Sequence, residues 1–426
     1  MAVACFLTTY IKLREWGTLM SFSTDWRNKN RNFIALSAVG IHISIGSVYA
    51  WSVFTKPVMQ YMAVSLRDVQ WAFSLAIFFL GMSAAFLGKY VEKYGPRKSG
   101  IVSALFFSTG MLGSGLAVSM NSLPMLYLFY SVIGGIGLGI GYITPVSTLI
   151  KWFPEKRGFA TGLAIMGFGF GAWFASPIIQ FLIEQVGLIY CFLTLGCLYL
   201  VIMLPSALYL EPPKETKEAA QVKARFLGTH ISLKDAMHMK MFYVLWLYLY
   251  INITCGISLL SVASPMMQEI AGMSAMSAAV VVGIIGIING LGRLGWSAAS
   301  DYLGRSNTFI AFFLIQAVAF YLLTQTASPI WFPVLFYIII SCYGGGFATM
   351  PAFLSDVFGT KELAAIHGRI LSAWAMAGIT GPLLTSFVRE NTGSYMVLMN
   401  IFAVTFLVIA AYAIFIRFEK KKKTVE

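Results

Sequence analysis

Acidic residues are scarce in this sequence, and none falls in the middle of a long apolar run. There are 17 Asp and Glu against 30 Lys and Arg, and charged residues make up 11% of the 426-residue chain. Soluble proteins carry about 25%, so the shortage excludes an ordinary soluble domain. The five cysteines (Cys5, Cys191, Cys197, Cys255, Cys342) form no CxxC pair and no metal-ligand spacing, so they read as small core residues. Of the four histidines, His230 and His238 stand in a polar stretch without ligand partners. No cofactor or metal is expected. The sequence offers no nucleophile–base set and no ATP loop, so an enzyme is not expected either. GGIGLGIG (134–141) is no dinucleotide fingerprint, because no strand or soluble βαβ unit surrounds it. The opening twenty residues lack a signal-peptide layout, since basic residues follow the apolar stretch. They read as an interfacial helix or as sequence upstream of a start at Met20.

Long apolar runs are abundant. Hydrophobic residues make up 58% of the chain, and a membrane-crossing helix needs about 20 mostly apolar residues. Twelve runs qualify, near 32–54, 70–88, 100–119, 124–149, 159–183, 188–210, 241–267, 274–299, 307–327, 330–353, 364–388 and 395–416. The expectation is an all-α integral membrane protein with twelve transmembrane helices. If both ends lie on one side, 26 of the 30 basic residues fall on that side and only Lys56, Arg67 and Arg389 on the other, with Arg293 inside a span. By the positive-inside rule both termini are cytoplasmic, in a plasma (inner) membrane. The net charge of +13 therefore marks orientation in membrane lipid, and no nucleic-acid partner is expected.

The most polar interior stretch, residues 211–240, separates six spans from six. It divides the chain into a cytoplasmic N-terminal arm (1–31), an N-terminal six-helix bundle (32–210), a cytoplasmic linker (211–240), a C-terminal six-helix bundle (241–416) and a basic cytoplasmic tail (417–426). The halves echo each other. Pro145 and Pro351 stand 206 positions apart, Pro177 and Pro382 stand 205 apart, and Glu92-x-x-Gly95 recurs as Asp301-x-x-Gly304 209 positions later. Parallel repeats with a site between them are one plan for secondary transporters.

GKYVEKYGPRK (Gly88, Glu92, Gly95, Arg97, Lys98) and SAASDYLGR (Asp301, Gly304, Arg305) resemble the loop motif of the major facilitator superfamily, with Glu for Asp in the first copy and Ser297 for Gly in the second. GSVYAWSVF, KWFPEKRG and NGLGRLGWSAASDYLGR resemble the oxalate/formate antiporter branch and its monocarboxylate-transporter relatives. The resemblance spans roughly residues 30–416 and implies that superfamily's fold. In the gate motifs, Glu92 with Arg97 and Asp301 with Arg305 are expected to latch helix ends on the cytoplasmic side.

Arg293 is the candidate substrate ligand. Insertion scales put about 2.5–3.5 kcal/mol on an arginine near the bilayer centre, and its planar fork suits a carboxylate. Gly286, Asn289, Arg293, Ser297 and Ser300 recur every three or four positions and so share one helical face. The competing account is a side chain that snorkels to the headgroups. In the antiporter branch this arginine binds substrate carboxylate, and the resemblance carries that role to Arg293. Where that antiporter has a second cation, this chain has Trp374; where proton-linked relatives have Asp, it has Asn289. One charge favours a monocarboxylate such as lactate, pyruvate or formate over oxalate, by exchange or facilitated transport. Tyr49, Tyr142 and Trp374 are expected to shape the site and Asn289 to tune it. His42 and His367 are the intramembrane residues that a proton-coupled symporter would use. An oxalate/formate-type antiporter and a non-transporting carboxylate sensor are the other readings, and a monomer is expected.

Overall fold

The computed structural model describes residues 29–153, 157–213, 231–359 and 362–422, without the side chains of residues 89, 92, 150, 157–164, 364 and 418–422. Among these residues every regular element is helical. Eleven stretches are long and apolar enough to cross a membrane. One of them, Ile165–Tyr209, is 45 residues long and turns at Gly187, where φ is +83°. It therefore makes two passes, and the chain crosses twelve times.

We number the passes α1 (Arg31–Met62), α2 (Leu66–Gly88), α3 (Lys93–Ser119), α4 (Leu123–Leu149), α5 (165–186), α6 (188–209), α7 (Lys240–Glu269), α8 (Ala275–Leu303), α9 (Arg305–Leu323), α10 (Trp331–Phe358), α11 (Ala365–Thr392) and α12 (Met396–Arg417). The end of the bundle that carries residues 211–240 is the linker face, and the opposite end the far face. Gly95 and Gly304 both adopt φ near +80° at the α2–α3 and α8–α9 turns. That conformation is nearly closed to residues with a Cβ, which explains these two motif glycines in the same way. Gly88 has open space around it.

α1 runs eight residues past the end expected at 54. Thr55-Lys56-Pro57 reads as a stop, yet the helix continues through Pro57 to Met62 and ends at Ala63 with φ +52°. A membrane helix tolerates the lost N–H of a proline when neighbouring helices surround it. The linker also departs from a plain polar connection. Residues 214–230 lie outside the described residues, but Leu233–His238 forms a helix, with Ser232 accepting from the Asp235 N–H. Ile231 N–H donates to Phe358 O at 3.2 Å and Leu233 N–H to Glu362 at 2.8 Å. The Ser-x-x-Asp pattern is a helix-start signal.

The halves meet along α1–α7, α2–α11 and α5–α8. At α5–α8 the backbones of Gly169 and Gly286 approach so closely that a Cβ on Gly286 would lie 2.4 Å from the Gly169 carbonyl oxygen. Small residues permit such approach where no hydrophobic force drives helices together. Gly286→Val is expected to lose about 1–3 kcal/mol by overpacking. Fluorescence-detected gel filtration after heating should register this as a lower melting temperature.

Candidate functional site

Arg293 lies on α8, with ten residues, about 15 Å, between it and the linker-face end of that helix. It is not at a headgroup position: the side chain is 3% exposed, folded inside the protein with its guanidinium carbon 5.0 Å from the centre of the Phe347 ring. Nε donates to Asn289 Oδ1 at 3.1 Å, the i−4 side chain on the same face. Gly286, Asn289 and Ser300 of the polar stripe are buried and Ser297 is half-buried, whereas Leu291 and Leu294 are exposed on the outside of the bundle. Among the described residues no carboxylate pairs with Arg293. Nη1 and Nη2, Asn289 Nδ2 and Trp374 Nε1 are all buried without a partner. All four are donors.

Aromatic rings enclose this donor set from both halves. Tyr49 of α1 and Tyr343 of α10 join hydroxyl to hydroxyl at 3.0 Å, and both phenols lie within electrostatic reach of Arg293. Tyr142 of α4 meets Trp374 of α11 at 5.5 Å between centroids, edge to face. Phe168 of α5 packs edge-on against Tyr142 at 5.5 Å, and Phe347 packs in the same way against Trp374 at 5.0 Å. The two ring pairs resemble one another, each joining a ring of α4 or α10 to one of α5 or α11. They are not matched in register: at the proline offsets of their own helices, Tyr142 corresponds to Ala348 and Phe168 to Ala373. Phe168, Tyr343 and Phe347 were missed by sequence reasoning, and the proline offsets do not find them.

Of the expected site residues, Arg293, Asn289, Tyr49, Tyr142 and Trp374 come together here. His42 sits beside them with its ring 5.7 Å from Tyr142 and Nε2 3.0 Å from the Tyr142 carbonyl oxygen. His367 does not: it lies seven residues before Trp374, about 10 Å nearer the linker face, on the short helix Leu363–Ile370. On the α7 side Asn252 Nδ2 donates to the Tyr343 carbonyl at 3.2 Å, and Gln316 Nε2 donates to Asn252 Oδ1 at 2.9 Å. This buried amide chain fixes the glycine-rich stretch that carries Tyr343 and Phe347.

The two gate motifs make different ion pairs. Arg97 donates to Glu211 at the start of the linker, where Lys29 also pairs with it at 3.7 Å. The Glu92 side chain is outside the described ones. Burial, and after it the Arg97 charge, holds the Lys29 ammonium below its ordinary range, and Glu211 opposes both. In the second half Arg305 does pair with Asp301, and it reaches Asp356 at 3.5 Å. Both clusters stay within their own half. A cavity of about 80 Å³ lies at the linker face between Val91, Gly95, Ser147 and Lys151, remote from Arg293.

Comparison with known proteins agrees with this geometry. The chain is 28% identical over 368 residues to the oxalate:formate antiporter of Oxalobacter formigenes, covering 85% of this chain and 86% of that one. It is 32% identical over 195 residues to monocarboxylate transporter 4 of Gallus gallus, 44% of this chain and 41% of that one. A crystal structure of a D-xylose-proton symporter superposes with a TM-score of 0.70 at 16% identity, covering 89% of this chain and 96% of that one. At that identity the likeness speaks for the fold alone. The Major Facilitator Superfamily profile matches residues 34–340. With its duplicated six-helix halves and a site enclosed between them, this multi-pass membrane protein belongs to the Major Facilitator Superfamily of transporters.

Proposed function

We propose that the protein carries small monocarboxylates across the membrane by alternating access, with Arg293 binding the carboxylate. One observation carries this reading: a buried cation with no counter-charge, surrounded by unpartnered donors. A carboxylate is acceptor-only, with two oxygens and about four lone-pair sites. It would satisfy Arg293 Nη1 and Nη2, with Asn289 Nδ2 on the same helical face as a further donor; Trp374 Nε1 is another unpartnered donor beyond the Phe347 ring. Asn289 holds the fork through Nε and offers its own amide hydrogens. The relatives named above, an oxalate:formate antiporter and a monocarboxylate transporter, support the anion class. Trp374 narrows it, because a neutral indole cannot balance a second carboxylate in low dielectric. Lactate, pyruvate and formate fit a single charge.

Reorienting an empty site would move an uncompensated cation through the closed state, whereas a loaded site is neutral. That difference favours anion exchange. A proton-coupled cycle has one observation in its favour: His42 is buried against the backbone of Tyr142, and imidazole titrates near neutral pH. Proton symport through His42 predicts alkalinisation outside unbuffered vesicles during uptake; exchange predicts dependence on internal anion. The charge asymmetry between the two faces supports a plasma (inner) membrane protein with the linker face and both termini in the cytoplasm.

A counterflow panel in proteoliposomes with labelled formate, lactate, pyruvate and oxalate tests the reading. The monocarboxylates are expected to exchange and oxalate to compete poorly. Oxalate outcompeting all three would overturn the single-charge argument. Binding without accumulation would favour a sensor.

A further inference from the structure

The ion pairs on the two faces are arranged differently. At the far face they cross between the halves. Lys56 at the end of α1 pairs with Glu269 at the end of α7 at 3.4 Å, and Glu269 also accepts from Arg389 of α11 at 2.9 Å. Arg67 in the first turn of α2 pairs with Glu390 of α11 at 3.1 Å, and the other oxygen of that carboxylate accepts the Arg67 backbone N–H at 2.9 Å. Glu390 thereby caps the N-terminus of a helix in the opposite half, where a negative charge is favoured. Just beneath, Thr55 Oγ1 and Gln70 Nε2 both donate to the Ser261 carbonyl across the same seam, at 3.4 and 3.2 Å. Every basic residue expected at this face (Lys56, Arg67, Arg389) is engaged. At the linker face the described ion pairs stay within one half, and the charged contact between halves is Arg369 over the Phe86 ring at 4.9 Å.

We propose that Lys56–Glu269–Arg389 and Arg67–Glu390 form a charge latch that closes the outer mouth and biases the empty carrier toward opening to the cytoplasm. The proposal rests on the alternating-access reading and on the linker face being cytoplasmic. Opening outward must separate two cross-half ion pairs and uncap α2, whereas opening inward separates, among the described side chains, ring contacts and the Arg369–Phe86 cation–π contact. The carboxylate–cation pairs are half-exposed. Such pairs are worth about 0.2–1 kcal/mol each, and salt screens them. Two of them bias the populations by about 2- to 30-fold.

The test measures spin-label distances in lipid nanodiscs without substrate. One label replaces Tyr61 at the outer end of α1 and the other replaces Gln325 between α9 and α10, in a chain whose native cysteines have been exchanged. Neutralising the latch with Glu269→Gln and Glu390→Gln should raise the long-distance, outward-open population about 2- to 30-fold. Raising salt from 0.05 to 1 M should move the unaltered latch in the same direction. Exchanging charges with Arg67→Glu and Glu390→Arg keeps an ion pair there but loses the α2 cap, so its distribution should lie between those of the parent and of Glu390→Gln. A distribution unmoved by both neutralisation and salt would overturn the latch, and the salt series stands even if the double variant fails to fold. This readout needs no carboxylate, so its failure leaves the substrate reading intact; failure of counterflow would strike that reading instead.

Discussion

Arg293→Met should abolish carboxylate transport while yielding folded protein that melts at a higher temperature than the parent. The two effects share one cause. The Arg293 side chain is 3% exposed, its Nε donates to Asn289, and among the described residues neither Nη atom has a hydrogen-bond partner within ordinary geometry. A buried charge in that condition is a cost to the fold, and replacing buried ionic groups with apolar ones of similar size is often stabilising by about 1–4 kcal/mol. Methionine also packs adaptably against Phe347. Transport loses what the fold gains. Removing one partner of a buried hydrogen-bonded charge pair costs about 2–5 kcal/mol, or roughly 30- to several thousand-fold in affinity. Arg293→Lys keeps the charge but loses the planar fork, so its uptake should fall between the two. Counterflow and thermal melting on the same preparations check this. Near-normal uptake in Arg293→Lys, or a lower melting temperature in Arg293→Met, would argue for a structural arginine.

Trp374→Lys is expected to invert selectivity. Trp374 is fully buried between Tyr142 and Phe347 and leaves its indole N–H unpartnered. A lysine there would leave space for water and bring a second cation into the same enclosure. Two like charges in low dielectric repel unless a ligand neutralises both. Lactate and formate should lose at least tenfold in uptake, about 1.4 kcal/mol. Oxalate should become the better competitor in counterflow. Unchanged preference in a folded Trp374→Lys protein would place Trp374 outside the substrate's reach.

Much of this site was legible in the sequence because charge is so costly in a membrane. One arginine in an apolar run, with a small polar residue one turn before it, marks the polar face of α8 that turns into the bundle without any tertiary information. Tyr49, Tyr142 and Trp374 were found from their place in the spans. Their partners Phe168, Tyr343 and Phe347 were not, since apolar rings are common here and composition does not separate a lining ring from a packing one. The duplication does not separate them either, because the proline offsets take Tyr142 to Ala348 and Phe168 to Ala373; only the packed structure shows the two edge-to-face pairs. The contact of Arg97 with Glu211 was unseen for another reason. A loop motif read locally cannot weigh the start of the linker, where Glu211 stands against both Arg97 and Lys29. The extension of α1 through Pro57 was hidden because surrounding helices, not local propensity, hold that turn.

The duplication is incomplete in the one respect that matters for chemistry. Both halves contribute rings, but the cation stands in the second half, and at the motif offset of 209 its counterpart in the first is Ala84. Arg293 and Asn289 would therefore hold the passenger's charge on the C-terminal bundle while the N-terminal rings close over it. Equilibrium binding of labelled lactate, pyruvate and formate to the purified protein, run beside Arg293→Met, addresses this most directly. At least one of the three should occupy a single saturable site in the parent and show no saturable binding in the variant. Retention of that site in Arg293→Met, with affinity changed less than threefold, would contradict the account.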